Sequence, residues 1–381
     1  MANSNLHLPR VWAEIDLAAF ERNVGKIKEA IPAGMRYIAV VKADAYGHGV
    51  GYIVERLLQC GVDAFAVANA REGADVRYIA PQAEIYILGP SLPEEFETII
   101  AENLVPAISN ADEVERFDAM AFAAGTRLSV NLKIDTGMGR MGVWHAEAFP
   151  LAMKIASQKN LHFRGIFTHF SSADTSLEFT ELQRLRFLSV VNQLPENLRK
   201  TLLIHADNSA GLDSMVRDGV FNAIRAGIIQ YGLKPAAGTI FEKIAPEPVL
   251  SFHSRIGLIK TLPANVPVSY NRTHTLARET RIGIVTAGYG DGIPTAASNR
   301  AQFVVCGRRV PVLGRVTMDQ TLVDLTDVPA TQVGDIVTII GGNVSAQVAI
   351  EEFCGWGDCI SWEALVSITK RVPRIYHGLR G

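Results

Sequence analysis

The sequence predicts an α/β fold: a (β/α)8 barrel of the TIM type followed by a smaller, mainly β domain. Three observations predict it. Over the first two thirds of the 381 residues, short apolar runs rich in β-branched residues alternate with amphipathic stretches, eight times over. After about Ala245 the long amphipathic stretches stop, and strand-like runs follow one another directly. Finally, polar and chemically active residues collect at the ends of the apolar runs, which is where a parallel barrel gathers its chemistry.

The eight runs are YIAVVKA, AFAVA, EIYILG, VPAIS, LSVNLKID, RGIFTHF, LLIHADN and FNAIRAG, the last near Asn222 to Ala226. They read as strands buried on both faces, the style of a parallel sheet. Helices are predicted between them, over residues 16–30, 50–60, 93–102, 110–124 and 178–194. Asp16 precedes LAAFERN as an N-cap, and Asn110 does the same for ADEVERF. Pro246 and Pro248 then break the chain. Beyond them come LSFHSRIGLIKTL, VPVSY, TRIGIVTAGYG, AQFVVCG, RVPVLGRV, QTLVDL and DIVTIIG. The expected domains are 1–245 and 246–381, with the first ~10 residues free to pack on the second.

Composition narrows the function classes. With 48% hydrophobic and 20% charged residues, the chain is ordinary for a soluble globular protein. A net charge of -2 supplies no basic field for nucleic acid and no polybasic membrane patch. The start, MANSNLHLPRVWAEIDL, lacks the pattern of a secretory signal, and no apolar run is long enough to span a bilayer. Cys60, Cys306, Cys354 and Cys359 lie scattered without a histidine cluster, so no metal site is expected. Reduced thiols in a cytoplasmic protein are the expectation.

The polar residues follow the strands. Lys42 and Tyr46 come after the first, in AVVKADAYGHG; KIDTGMGRMG after the fifth holds Lys133 and Arg140. THFSSAD after the sixth holds His169, HADNSAG after the seventh holds His205 and Ser209, and RAGIIQYG after the eighth holds Arg225, Gly227 and Ile228. The loops after the last two strands are the usual phosphate seat of this fold. Ser209 brings a hydroxyl there, and Gly227 lets the backbone approach closely. A lysine on the same face, its pKa lowered by burial and cations, suits a Schiff base. The carbonyl compound that also carries a phosphate is pyridoxal 5'-phosphate. Singly, each residue has a plainer reading, as solvated lysine, strand-end histidine, surface ion pair or flexible glycine loop. Their joint position on one face carries the functional reading.

At this point the chain resembles the alanine racemases, the pyridoxal-phosphate enzymes of fold type III. The likeness runs in order through WAEIDLAAFERN, AVVKADAYGHG, KIDTGMGRMG, THFSSAD, HADNSA and RAGIIQYG, and on into VSY, TAGYGDGIP, LGRVTMDQ, ISWEAL and RVPRIY. The resemblance implies interconversion of L- and D-alanine by two bases, supplying D-alanine for peptidoglycan. It implies that Lys42 holds the cofactor as a Schiff base and serves as one base, while Tyr270 of a partner subunit serves as the other. It further implies that Tyr46, Ser209, Gly227 and Ile228 hold the phosphate. Arg225 would face the pyridine nitrogen, with His169 behind the ring and His205 supporting Arg225. Arg140 would grip the substrate carboxylate, next to a Lys133 that is carbamylated in many family members. Tyr289 and Met318, with Asp319 beside it, would line the pocket from the partner subunit of a homodimer.

The residue types fit that chemistry. Racemisation removes the α-proton on one face and returns it on the other, so two bases must flank the planar carbon. An arginine at the ring nitrogen cannot readily give up its proton. It thereby weakens the electron sink and disfavours transamination. Three departures from the family pattern stand out: Trp362 where tyrosine is usual, Asn271 where glycine is common, and Asp44 where asparagine is common. Trp362 leaves open a wider racemase acting on serine as well as alanine. A non-catalytic pyridoxal-phosphate protein on the same barrel is the alternative from another class, and the C-terminal domain with Tyr270 argues against it.

Overall fold

The computed structural model describes residues 9–206, 219–233, 244–343 and 346–379. The chain divides into two compact units. One comprises Phe20–Ala45 with Gly49–Glu247; the other comprises Met1–Ala19, Tyr46–His48 and Pro248–Gly381.

The first unit is the predicted barrel. Its strands, in order, are Arg36–Val40, Ala64–Val67, Glu84–Ile87, Ala107–Ile108, Leu128–Asp135, Leu161–Phe167, Leu203–His205 and Ala223–Ala226. Every ladder between them is parallel. A bridge between Tyr86 and Val105 links the third and fourth strands, and the Asn222 N–H donates to the Ile204 carbonyl at 3.1 Å beside the seventh and eighth. The eighth strand pairs Ala223 with Arg36, so the ring closes. Burial explains the unalternating sequence: Ala64–Val67 and Ala223–Ala226 are buried at every position. Helices Val50–Gln59, Ala70–Ile79, Phe96–Ala101, Ala111–Ala123, Ala148–Ser157 and Leu177–Gln193 follow the first six strands in turn. Asn110 caps as predicted, accepting from the Glu113 N–H at 2.9 Å. Asp16 accepts from the Ala18 and Ala19 N–H groups, both at 2.9 Å, at the head of helix Leu17–Ala30. The helix expected over 93–102 begins instead as a 3-10 turn, Pro93–Glu95, where Glu95 folds back onto the Leu92 N–H at 2.9 Å.

The second unit is built on a nine-stranded sheet. Its spine is the long strand Leu250–Leu262, which changes register between Ile256 and Leu258. Up to Arg255 the strand pairs with Val11–Asp16 and Ile336–Asn343; from Ile256 onward, across the bulge, it pairs with Thr280–Val285. Val11–Asp16 also pairs in parallel with Arg374–His377, so the first and last strands among the described residues join one sheet. A hairpin joins Gln302–Val305 to Arg308–Pro311 through Cys306 and Gly307, both at positive φ, the pair of signs a type I′ turn requires. Val268, Leu276, Ile282 and Leu313 form one buried cluster of this unit.

Candidate active site

The lysine turn has an unusual backbone. After the first barrel strand, Lys42 is half-buried, and Ala43, Asp44, Ala45 and Tyr46 all adopt left-handed φ values of 53–54°. For L-residues this costs roughly 1–2 kcal/mol each, so the surroundings must hold it. The Ala43 N–H donates to Glu72 Oε1 at 2.9 Å, and the Ala45 N–H donates to the Val41 carbonyl at 2.9 Å. Asp44 Oδ1 accepts from the Val50 N–H at 2.8 Å, at the start of helix Val50–Gln59. A carboxylate suits that helix terminus, which gives the departure at position 44 a physical reason. Within the second unit, Arg374 Nε donates to the Gly47 carbonyl at 3.1 Å and the Tyr376 hydroxyl donates to the His48 carbonyl at 3.0 Å. Gly47 has φ +79°, and a Cβ there would lie 2.6 Å from the Leu365 carbonyl oxygen, so no side chain fits.

Around the barrel mouth the other candidates converge. Arg225, on the eighth strand, is buried and donates to the Thr168 and Ala206 carbonyls at 2.9 and 3.0 Å. It also donates to Nδ1 of His205 and, at 3.4 Å, to Nδ1 of His169. A guanidinium only donates, so both imidazoles accept. Burial first, then Arg225, holds His169 and His205 well below the ordinary imidazole range, so both are neutral. His205 stacks on Phe167, with ring centroids 5.1 Å apart, and Lys133 Nζ sits 4.6 Å from the same ring centroid. Lys133 is buried too; desolvation, Arg225 and Arg140 push its amine well below the usual lysine range. The Lys42 amine is lowered by burial, then by Arg140 and Arg225, with Glu72 opposing. Burial raises the Tyr46 phenol, which stays protonated.

Arg140 lies exposed in the glycine loop after the fifth strand. That loop is shaped by Asp135, whose Oδ1 accepts from the Gly137 and Gly139 N–H groups at 2.9 and 3.2 Å. Gly227 and Ile228 begin the 3-10 turn that follows the eighth strand. Ser209 lies outside the described residues.

Several supporting residues escaped the sequence reading. Gln183, fully buried, donates to Thr136 Oγ1 at 3.2 Å and to the His169 carbonyl at 3.3 Å, and accepts from the Ser171 N–H at 3.0 Å. It ties the loops after the fifth and sixth strands together. Gln230 donates to the Val40 carbonyl at 3.0 Å and accepts from the Tyr37 hydroxyl at 3.1 Å. Tyr231 donates to the same Val40 carbonyl at 3.0 Å. The turn after the eighth strand therefore grips the end of the strand that leads to Lys42. No local motif announces these contacts, because each joins residues far apart in the chain.

The candidates of the second unit beyond Pro248 are outward-facing. Tyr270 opens a 3-10 turn between Ser269 (φ +62°) and Asn271 (φ +58°), and is 69% exposed. Asparagine tolerates that left-handed backbone better than most residues, so Asn271 can stand where glycine is common. Tyr289 and Met318 occupy two loops zipped by the Tyr289 N–H to the Thr317 carbonyl and the Gly290 N–H to the Met318 carbonyl, both at 2.9 Å. Arg371 braces them, donating to Asp319 at 2.7 Å and forming an ion pair with the buried Asp291 at 2.9 Å. Trp362 projects from helix Ser361–Ser367.

The barrel mouth suits a phosphorylated aldehyde. After burial, Arg140 and Arg225 lower both Lys42 and Lys133, and a bound anion would offset the two arginines. An amine kept from full protonation is the form that condenses with a carbonyl. Comparison with known proteins decides the matter. Residues 15–235 match the alanine racemase N-terminal domain family, and residues 249–376 match the alanine racemase C-terminal domain family. The chain belongs to the alanine racemase family. It is 37% identical over 369 residues to the alanine racemase of Symbiobacterium thermophilum, covering 96% of this chain and 97% of the relative. It is 35% identical over 366 residues to that of Halothermothrix orenii, covering 96% of each. Among solved structures, the alanine racemase of Streptomyces lavendulae superposes with a TM-score of 0.88 at 29% identity, covering 98% of both chains. That of Bacillus anthracis with bound L-Ala-P gives 0.88 at 31%, covering 97% of this chain and 95% of that one. The enzyme is a pyridoxal 5'-phosphate-dependent isomerase that interconverts L-alanine and D-alanine.

Proposed function

We propose that Lys42 and Tyr270 are the two bases of this racemase, and that Tyr270 serves the Lys42 site of a second copy of the chain. Pyridoxal 5'-phosphate, bound on Lys42, supplies the electron sink that makes the α-proton of alanine removable. The residues of the chain bind, orient and exchange protons. The Lys42 amine moves the proton on one face, and its lowered pKa brings it nearer the working range of a general base. The Tyr270 phenol moves the proton on the other face. Arg140 fixes the substrate carboxylate by a charge-assisted contact. Tyr46, Ser209, Gly227 and Ile228 hold the phosphate. Arg225 would hold the ring nitrogen without protonating it, since a guanidinium keeps its own protons. His205 holds Arg225 in place, and His169, which also accepts from Arg225, would support the bound ring.

Lys133 carries a carbamate in this proposal. Burial and two arginines favour its neutral amine, which is the form that adds carbon dioxide and releases a proton. The resulting anion would attract Arg140, where an ammonium would repel it. Tyr289, Met318 and Asp319 line the substrate approach from the partner, and Trp362 borders the phosphate. Large side chains left in solvent at Tyr270, Tyr289, Met318 and Trp362 support a homodimer that covers them. No helix among the described residues is long and apolar enough to cross a membrane. We place the enzyme in the cytoplasm, supplying D-alanine for peptidoglycan.

One observation carries the barrel half of this reading. Buried Arg225 donates to Nδ1 of both His205 and His169, and its charge, after burial, lowers those two imidazoles together with Lys133 and Lys42, which arrive on four different strands and their loops. The test is racemisation of a panel of L-amino acids by the purified protein. Alanine should be turned over fastest, and Lys42→Ala should lose both directions by at least ~100-fold, since anchor and base vanish together. An active Lys42→Ala enzyme would overturn the assignment.

A further inference from the structure

A carboxylate stands among the cations of the barrel mouth. Glu72 lies in the first turn of helix Ala70–Ile79, where Asn69 caps the helix by accepting from the Glu72 N–H at 3.0 Å. Its Oε1 accepts from the Ala43 N–H at 2.9 Å, and its Oε2 from the Ala68 N–H at 2.8 Å. Those two amides directly follow Lys42 and the end of the second strand, Val67. The catalytic proposal gives Glu72 no task.

We infer that Glu72 is a positioning residue for Lys42: its carboxylate holds the left-handed turn that presents the amine, and sets a negative charge against the arginines there. The inference rests on Lys42 as the anchor of the cofactor. Its first part follows from hydrogen bonding. The left-handed run begins at Ala43, and the amide there takes a side-chain acceptor in place of the backbone partner that a continuing strand would supply. A charged acceptor makes the stronger bond, and its second oxygen ties the lysine turn to the neighbouring strand end. The second part is electrostatic. The charged groups acting on Lys42 are Arg140, from the loop after the fifth strand, and Arg225, from the eighth strand, which both lower it. Glu72, from the helix after the second strand, raises it. Lys133 and His169, also at the mouth, are neutral by burial.

Glu72→Gln tests both parts in the holoenzyme. The substitution keeps the size, removes the charge and leaves one oxygen, so only one of the two amides keeps its acceptor. The pH midpoint of the bound cofactor's absorbance change should move down by about one unit, because the arginines are then unopposed. Pyridoxal 5'-phosphate should dissociate about tenfold faster, and kcat should fall by a larger factor than KM rises. Glu72→Asp keeps the charge and loses the reach, so faster dissociation should come with a midpoint close to that of the wild type. Should Glu72→Gln not fold, the Glu72→Asp dissociation rate decides, and an unchanged rate overturns the inference. A loss of thermal stability in both variants with the midpoint unmoved would make Glu72 merely structural, and also overturns it. Borohydride reduction of the wild type separates this inference from its foundation. A labelled lysine other than Lys42 overturns both, whereas label on Lys42 with a wild-type midpoint and dissociation rate in Glu72→Gln overturns this one alone.

Discussion

The barrel mouth and the second unit present their candidate residues in opposite ways. In the barrel, Lys133, His205 and Arg225 are buried: Arg225 donates to His205, and all three lie against the ring of Phe167. In the second unit, Tyr270, Tyr289, Met318 and Trp362 stand in solvent on braced loops and a short helix. The first arrangement is a site whose environment the chain supplies itself. The second is rigid presentation without an environment, which is what a group destined for another copy of the chain requires.

The largest effect that breaks or sharpens this contrast is at Tyr270. Removing its hydroxyl in Tyr270→Phe should lower racemisation by about 100- to 10,000-fold, the usual worth of a positioned general base. The fold should be untouched, since the side chain is exposed. Mixing inactive Tyr270→Phe with inactive Lys42→Ala subunits should then restore activity, because one composite site of the mixed dimer keeps both bases. If the subunits demonstrably exchange and no activity returns, Tyr270 does not act across a dimer.

The contrast also explains what the sequence disclosed. The eight apolar runs became the eight barrel strands because burial on both faces leaves a compositional mark. Lys42, His169, His205 and Arg225 were legible because strand ends define one face of a barrel. Strand Val11–Asp16 escaped, since its partners Leu250–Leu262 and Arg374–His377 lie at the far end of the chain. Glu72, Gln183 and Gln230 escaped for the same reason: each acts on the backbone of a distant segment, which no spacing records. The left-handed turn at Ala43–Tyr46 was hidden as well, because alanine and tyrosine carry no local signal for positive φ and one aspartate does not announce a run of four.

A second test uses pH. His169 and His205 have folded pKa values well below the ordinary one, by burial and then Arg225. Below about pH 6.5 the unfolded chain takes up protons on them that the folded chain refuses. Stability is therefore lost as pH falls through that value, by about 1.4 kcal/mol per pH unit for each histidine. In the second unit, His253 is lowered by burial but opposed by Glu14. Hydrogen exchange at pH 7.5 and 5.5, corrected for intrinsic rates, should show the barrel strands losing more protection than the Leu250–Leu262 sheet. Equal losses would mean that the histidine array does not stand apart from the rest of the molecule.

The smallest expected effect is at Trp362, the residue that departs most from the family pattern. It sits in the first turn of helix Ser361–Ser367 and is 44% exposed, so its substitution should barely change stability. If it borders the phosphate, the indole N–H stands in for a tyrosine hydroxyl as a neutral donor. A neutral hydrogen bond contributes about 0.5–1.5 kcal/mol, so Trp362→Tyr should change affinity for pyridoxal 5'-phosphate by no more than about tenfold. Size matters more than the donor here. The indole is the larger ring, and next to the substrate side chain it would set the room left beyond a methyl group. Trp362→Tyr should therefore shift the ratio of alanine to serine turnover while leaving cofactor binding nearly intact. Steady-state rates with alanine, serine and one larger amino acid check this, and identical ratios in wild type and variant would remove position 362 from the pocket.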